Sequence, residues 1–213
     1  VRLVLAVLLV GAAGPARAQV TETQHAFDTT FSLSPRLDAI MHSRIRTRPS
    51  GGGFYQARAG PIFDFDLTRR VALLGGYYFT RQTGSVQWHT VHRPFGGFEV
   101  ALIAARLYTA DARVLAERFL SAGEPDFARY RQRVRVRTRL FLSPYTSVEW
   151  FQDRHGLRSV RYSGGVRLQP IPRVNMDMGY FYETRRPELG GDRHMFLTTF
   201  HILRPGRRPD PDV

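Results

Sequence analysis

From residue 20 onward, apolar and polar side chains alternate in runs of about ten, the period of a strand whose two faces meet different surroundings. No window there sustains the 3.6-residue period of an amphipathic helix. The alternation predicts strands over residues 36–48, 54–66, 71–82, 95–108, 112–121, 128–142, 146–154, 158–169, 174–185 and 193–203, with a shorter segment near 25–33. Tight turns are expected at 67–70, 109–111, 143–146 and 171–173. They take turns with looser connections at 49–53, 83–94, 122–126, 154–156 and 187–192. Short connections at one end and longer ones at the other define an antiparallel up-and-down barrel, whose tight end faces the periplasm when the barrel spans an outer membrane. Counting 36–48 as the first span gives ten strands and brings both barrel ends to the tight-turn side; a further pair would make twelve. The segment at 25–33 is then a short periplasmic or lumenal stretch.

The two faces carry opposite chemistry. Arg129, Arg131, Arg133, Arg135, Arg137 and Arg139 share one face, against Tyr130, Gln132, Val134, Val136, Thr138 and Leu140 on the other. A guanidinium facing lipid at the bilayer midplane costs about 2–4 kcal/mol, so that row must see water or acids. Elsewhere His42, Arg44, Arg46 and Arg48 form a face, as do Arg58, Asp64 and Asp66, then Glu149 and Asp153, then Arg161 and Arg167, then Asp177, Glu183 and Arg185. Glu117 precedes the arginine row and Glu149 follows it. The expected product is a narrow lumen filled by an Arg–carboxylate lattice, with bidentate pairs neutralising the buried charge. Opposite faces carry Tyr55, Phe65, Tyr77, Phe79, Trp150, Tyr162, Tyr180, Tyr182 and Phe196 toward segment ends, as interfacial aromatic girdles do.

The first eighteen residues have a different character. Arg2, the apolar run 3–10 (LVLAVLLV) and Ala16-Arg17-Ala18 read as a secretory signal peptide (residues 1–18), too short to span a bilayer. The barrel is then expected over 19–204 and a disordered tail over 205–213. The chain has 213 residues, with Lys+Arg 31 against Asp+Glu 18 and a net charge of +13, and every basic residue is Arg. Cys 0 removes disulfides and thiolate chemistry. Mean hydropathy of −0.28 excludes a polytopic helical membrane protein.

His92-Arg93-Pro94-Phe95, Ala116-Glu117-Arg118-Phe119, Arg129-Tyr130-Arg131-Gln132-Arg133 and Ser143-Pro144, with Gly75-Gly76-Tyr77 after a tight turn, resemble the bacterial family called domain of unknown function 2490. Its members are outer-membrane-barrel-like, and the resemblance implies that fold and no activity. Phe27 stands where a Trp-led first strand is expected.

Candidate chemistry is sparse. His89 and His92 lie three apart beside Trp88 but lack a third ligand, so no metal and no cofactor are expected. His42 and Ser43 are adjacent and therefore point to opposite faces of a strand, which keeps them from acting as base and nucleophile. Ser121, Ser159 and Ser163 have no nucleophile-elbow context, and no catalytic residue is assigned. The Gly-Gly pairs at 75–76, 96–97 and 164–165 read as relief of crowding. Strict every-second-residue spacing with acids nearby argues against a nucleic-acid footprint. The expectation is a bacterial outer-membrane protein with a structural role or a narrow anion-preferring conduit. Its partners are outer-membrane lipid and the barrel-assembly machinery during insertion. The alternatives are a lipid-modifying barrel enzyme and a soluble periplasmic ligand-binding barrel.

Overall fold

The computed structural model describes residues 20–49, 53–83, 88–122, 125–140 and 142–203. The expected leader and C-terminal tail lie outside them. Eleven strands follow one another: β1 (Val20–Ser34), β2 (Leu37–Arg48), β3 (Gly53–Asp66), β4 (Val71–Thr83), β5 (Trp88–Ala104), β6 (Tyr108–Ser121), β7 (Phe127–Thr138), β8 (Pro144–Asp153), β9 (Gly156–Ile171), β10 (Val174–Arg185) and β11 (Arg193–Leu203). Each pairs antiparallel with the next, and β1 closes the sheet on β11 in parallel, Val20 opposite Arg193 and Thr30 opposite Leu203. The fold is an all-β closed barrel of mixed pairing. Among the described residues no helix is long and apolar enough to cross a membrane.

Register follows from charge as well as from turns. Glu117 lies opposite Arg129, Arg133 opposite Glu149, Glu149 opposite Arg161, Arg161 opposite Glu183, and Arg167 opposite Asp177. Opposite charges facing each other across neighbouring strands favour the pairing, and a slip by one residue would turn each of them outward. The inward face of the whole barrel is therefore the charged one.

Several expectations are corrected. The barrel has neither ten strands nor twelve, and it is not wholly antiparallel. The segment near 25–33 belongs to a strand of 15 residues that completes the wall. Its outward residues include Thr21, Thr23, His25 and Thr29, so the contrast between faces is weak and the period is hard to read. The odd count leaves Val20 at the loose-connection end and Leu203 at the tight end, so the two barrel ends do not share a side. Residues 109–111 are strand, not turn, because Asp111 is satisfied inside the barrel; the tight connection lies at 105–107, closed by Ala105 N–H donating to Tyr108 O at 3.0 Å. Strand β5 begins at Trp88, which shortens the connection expected at 83–94, and Pro144 opens β8 instead of forming a turn.

Glycines permit two close approaches. A Cβ on Gly97 would lie 2.0 Å from the Val114 carbonyl oxygen. Gly165 and Gly179 face each other on β9 and β10, and the Tyr145 hydroxyl lies across both, 2.8 Å and 2.5 Å from where their Cβ atoms would be. The large ring of β8 thus fills space that two missing side chains leave.

Candidate functional site: an arginine–carboxylate lumen

Strands β5 to β10 carry a continuous ionic lattice inside the barrel. Glu117, 2% exposed, accepts from Arg93 Nη2 at 2.8 Å, Arg131 Nη1 at 2.9 Å and Arg129 Nε at 2.8 Å. Arg131 also donates to Glu149 through Nη2 at 2.7 Å and Nε at 3.1 Å, so one guanidinium bridges two buried carboxylates. Arg161 joins Glu149 (3.4 Å) to Glu183 (2.6 Å), and Arg113 lies 3.6 Å from Glu149. Arg133 reaches Glu99 and Asp111 at 2.9 Å each, and Arg135 takes the other Asp111 oxygen at 2.9 Å. Charge-assisted bonds of this kind offset the cost of taking ions out of water only when nearly every lone pair is used.

A second chain of contacts runs across the β1–β11 seam. His42 Nδ1 lies 2.6 Å from Asp28, His201 lies 3.2 Å from both Asp28 and Asp177, and Arg167 clamps Asp177 with bonds of 2.5 and 2.7 Å. Apolar side chains fill the space between the ions. Leu115, Phe151, Phe181 and Met195 point inward and are buried, and Arg161 stacks over Phe181 at 4.1 Å and over Phe151 at 4.7 Å.

The loose-connection end holds an open cavity of about 340 Å³. Its lining carries Arg46, Arg58, Arg93 and Arg131 on one side and Arg161, Arg185 and Arg193 on another, with Glu183 the one carboxylate among its lining residues. Phe119, Phe127 and Phe151 supply its apolar surface. The chemistry such an arrangement offers is ionic, since fixed guanidinium forks receive the oxygens of carboxylates and phosphates.

Of the residues expected to build the lumen network, Glu117, Arg129, Arg131, Arg133, Arg135, Glu149, Arg161, Arg167, Asp177 and Glu183 are brought together in these contacts. Asp153 pairs at the loose end with Arg186 (2.5 Å) and Arg158 (3.3 Å), outside the central lattice. Arg44, Arg46 and Arg58 point inward on β2 and β3 but touch no carboxylate among the described residues. Asp64 faces inward opposite Asp38, Asp66 is exposed at the end of β3, Arg137 faces inward near the end of β7, and Arg139 follows that strand. Glu22, Glu99, Arg93, Arg113 and Asp111 belong to the lumen and were not expected there. Arg93 and Glu99 share a parity that becomes visible only when the strand is extended back to Trp88. His89 and His92 lie on opposite faces of β5, His89 against Gln82 and His92 against Tyr77, so they do not converge on one ion.

The outer face is the reverse of the inner. Phe63, Leu73, Phe98, Val134, Met178 and Phe196 are exposed there. The outward guanidiniums of the described strands, Arg81 and Arg118, lie close to strand ends at the loose side. Tyr180 and Tyr182 flank His194, and the Tyr182 hydroxyl donates to Asp192, placing polar tips at the same rim.

No curated protein matches this chain. The family model described as "Protein of unknown function (DUF2490)" matches residues 25–192, and the chain belongs to that family.

Proposed function

We propose that the protein is an integral outer-membrane β-barrel whose lumen is closed at its waist and basic at its loose-connection mouth. The observation that carries this reading is the inverted polarity: an uncharged, apolar belt outside and an ion lattice within. A soluble barrel places these the other way round, since its core is what water must not reach. Strands of 10 to 17 residues are long enough, when tilted, to cross a hydrocarbon layer that needs about 9–11. The interior does not favour a wide pore, because Leu115, Phe151, Phe181 and Met195 occupy the space between the ion pairs. The excess of arginine at the mouth supports a second reading, a narrow conduit that admits anions.

Two measurements separate the readings. After carbonate washing the protein should remain with the membrane pellet, and release into the supernatant would return it to the soluble ligand-binding class. Refolded protein in a planar bilayer should be silent or show small, anion-selective steps. Large unselective steps would contradict the closed waist.

A further inference from the structure

The lattice is unevenly distributed around the wall. On β6 to β10 most inward guanidiniums have a carboxylate in contact, whereas on β2 and β3 Arg44, Arg46 and Arg58 do not. Arg44 faces Arg58 directly in register, and Arg46 is two positions along. Arg44 Nη2 donates to Gln56 at 2.6 Å and Arg46 Nε to Gln24 at 2.9 Å, both neutral acceptors, while Arg58 rests over the Tyr78 ring at 4.8 Å. All three are more than nine-tenths buried. Like charges held together out of water with no carboxylate in direct contact are unfavourable, so the arrangement fits an anion better than it fits empty packing. Buried donors here have no hydrogen-bond partner, among them Arg58 Nε and the hydroxyl of Thr80, its register neighbour on β4, with Arg44 Nε and Arg48 Nε on β2 beside them. Arg58 and Thr80 line the 340 Å³ cavity, and Arg46 does so beside them.

We propose that this wall binds a small soluble phosphate-bearing anion that enters at the loose-connection end. Arg46, Arg58 and Thr80 take its oxygens. A carboxylate is filled by one guanidinium fork. A phosphate presents acceptors in several directions, which matches donors arriving from β2, β3 and β4. The volume is at the lower end for small-molecule sites, enough for a pyrophosphate or a sugar phosphate. The cavity lies inside the wall, away from the apolar belt, which favours a solute over the headgroup of a bilayer lipid. The proposal rests on the lumen geometry and not on the membrane assignment, so either can fail alone.

The test uses the full chain folded in neutral detergent, with inorganic pyrophosphate titrated calorimetrically at fixed salt. Saturable binding is expected. Arg58→Gln and Thr80→Val should each weaken it, the former by about tenfold or more, the worth of one charged hydrogen bond. Arg118→Gln, exposed on the outer face beside Asp126, should leave it unchanged. A thermal melt guards against misfolding. Without pyrophosphate Arg58→Gln should unfold no earlier than wild type, and a given pyrophosphate concentration should raise the unfolding temperature of wild type by more than that of the variant. Absence of saturable binding overturns the proposal, as does equal affinity in wild type and Arg58→Gln. Binding confined to micelles containing phosphatidylglycerol overturns the choice of a soluble ligand.

Discussion

Glu117 is almost wholly buried, yet it remains hydrogen-bonded on both oxygens because its two neighbouring strands bring it Arg93 from β5 and Arg129 and Arg131 from β7. Removing its charge leaves those guanidiniums without their shared counter-ion and turns one acceptor into a donor, so Glu117→Gln should destabilise the barrel by about 3–5 kcal/mol, read from urea unfolding in detergent. Arg58→Gln, by contrast, removes a buried cation that has no carboxylate partner, and its effect on the ligand-free protein should be neutral or stabilising. Opposite signs at Glu117 and Arg58 would show that counter-ion supply, and not charge burial itself, sets stability here. At this scale the arginine face was legible in the sequence, because six residues from Arg129 to Arg139 keep one parity without interruption. Their partners were less so. Asp111 looks like a turn residue when read locally, and only the fold places its carboxylate between Arg133 and Arg135.

Strand β1 illustrates what alternation can and cannot reveal. Strands with Phe, Val or Leu on one face and charge on the other show their period plainly. In β1 threonines and a histidine face outward beside Phe27, opposite Gln24, Ala26 and Asp28, so both faces read as mixed. Connection types supplied a parity argument for ten strands, and it failed because a parallel seam needs no even count. The seam itself can be tested. Phe27 and Phe200 are register partners across β1 and β11, and their rings stack at 5.2 Å. The natural chain has Cys 0, so the double variant Phe27→Cys, Phe200→Cys has no competing thiols. Oxidation should crosslink it, seen as a shift on a non-reducing denaturing gel. A barrel closed by β2 on β11 would leave the two thiols apart and the gel unchanged.

For the molecule as a whole, polarity decides the setting. Val134 faces outward opposite Val148 in the middle of the Arg-bearing strand. Val134→Arg should cost about 2–4 kcal/mol in phosphatidylcholine vesicles if that face meets acyl chains. A negligible cost in vesicles would place the belt in water. The same inversion explains why fold class was readable in advance while activity was not: a period-two pattern encodes sides, but which solute a mouth accepts depends on donors gathered from strands far apart in the chain. Arg46, Arg58 and Thr80 are each unremarkable in their own segments and become a group only when the sheet closes.

The parallel seam has one more outcome. Because β1 and β11 run the same way, polypeptide added ahead of Val20 leaves the wall beside the arginine-rich mouth, while polypeptide added behind Leu203 leaves from the opposite rim. Two different epitopes attached there would label opposite sides of any sheet of lipid the barrel pierces, and a protease admitted from one side should clip one epitope and spare its twin.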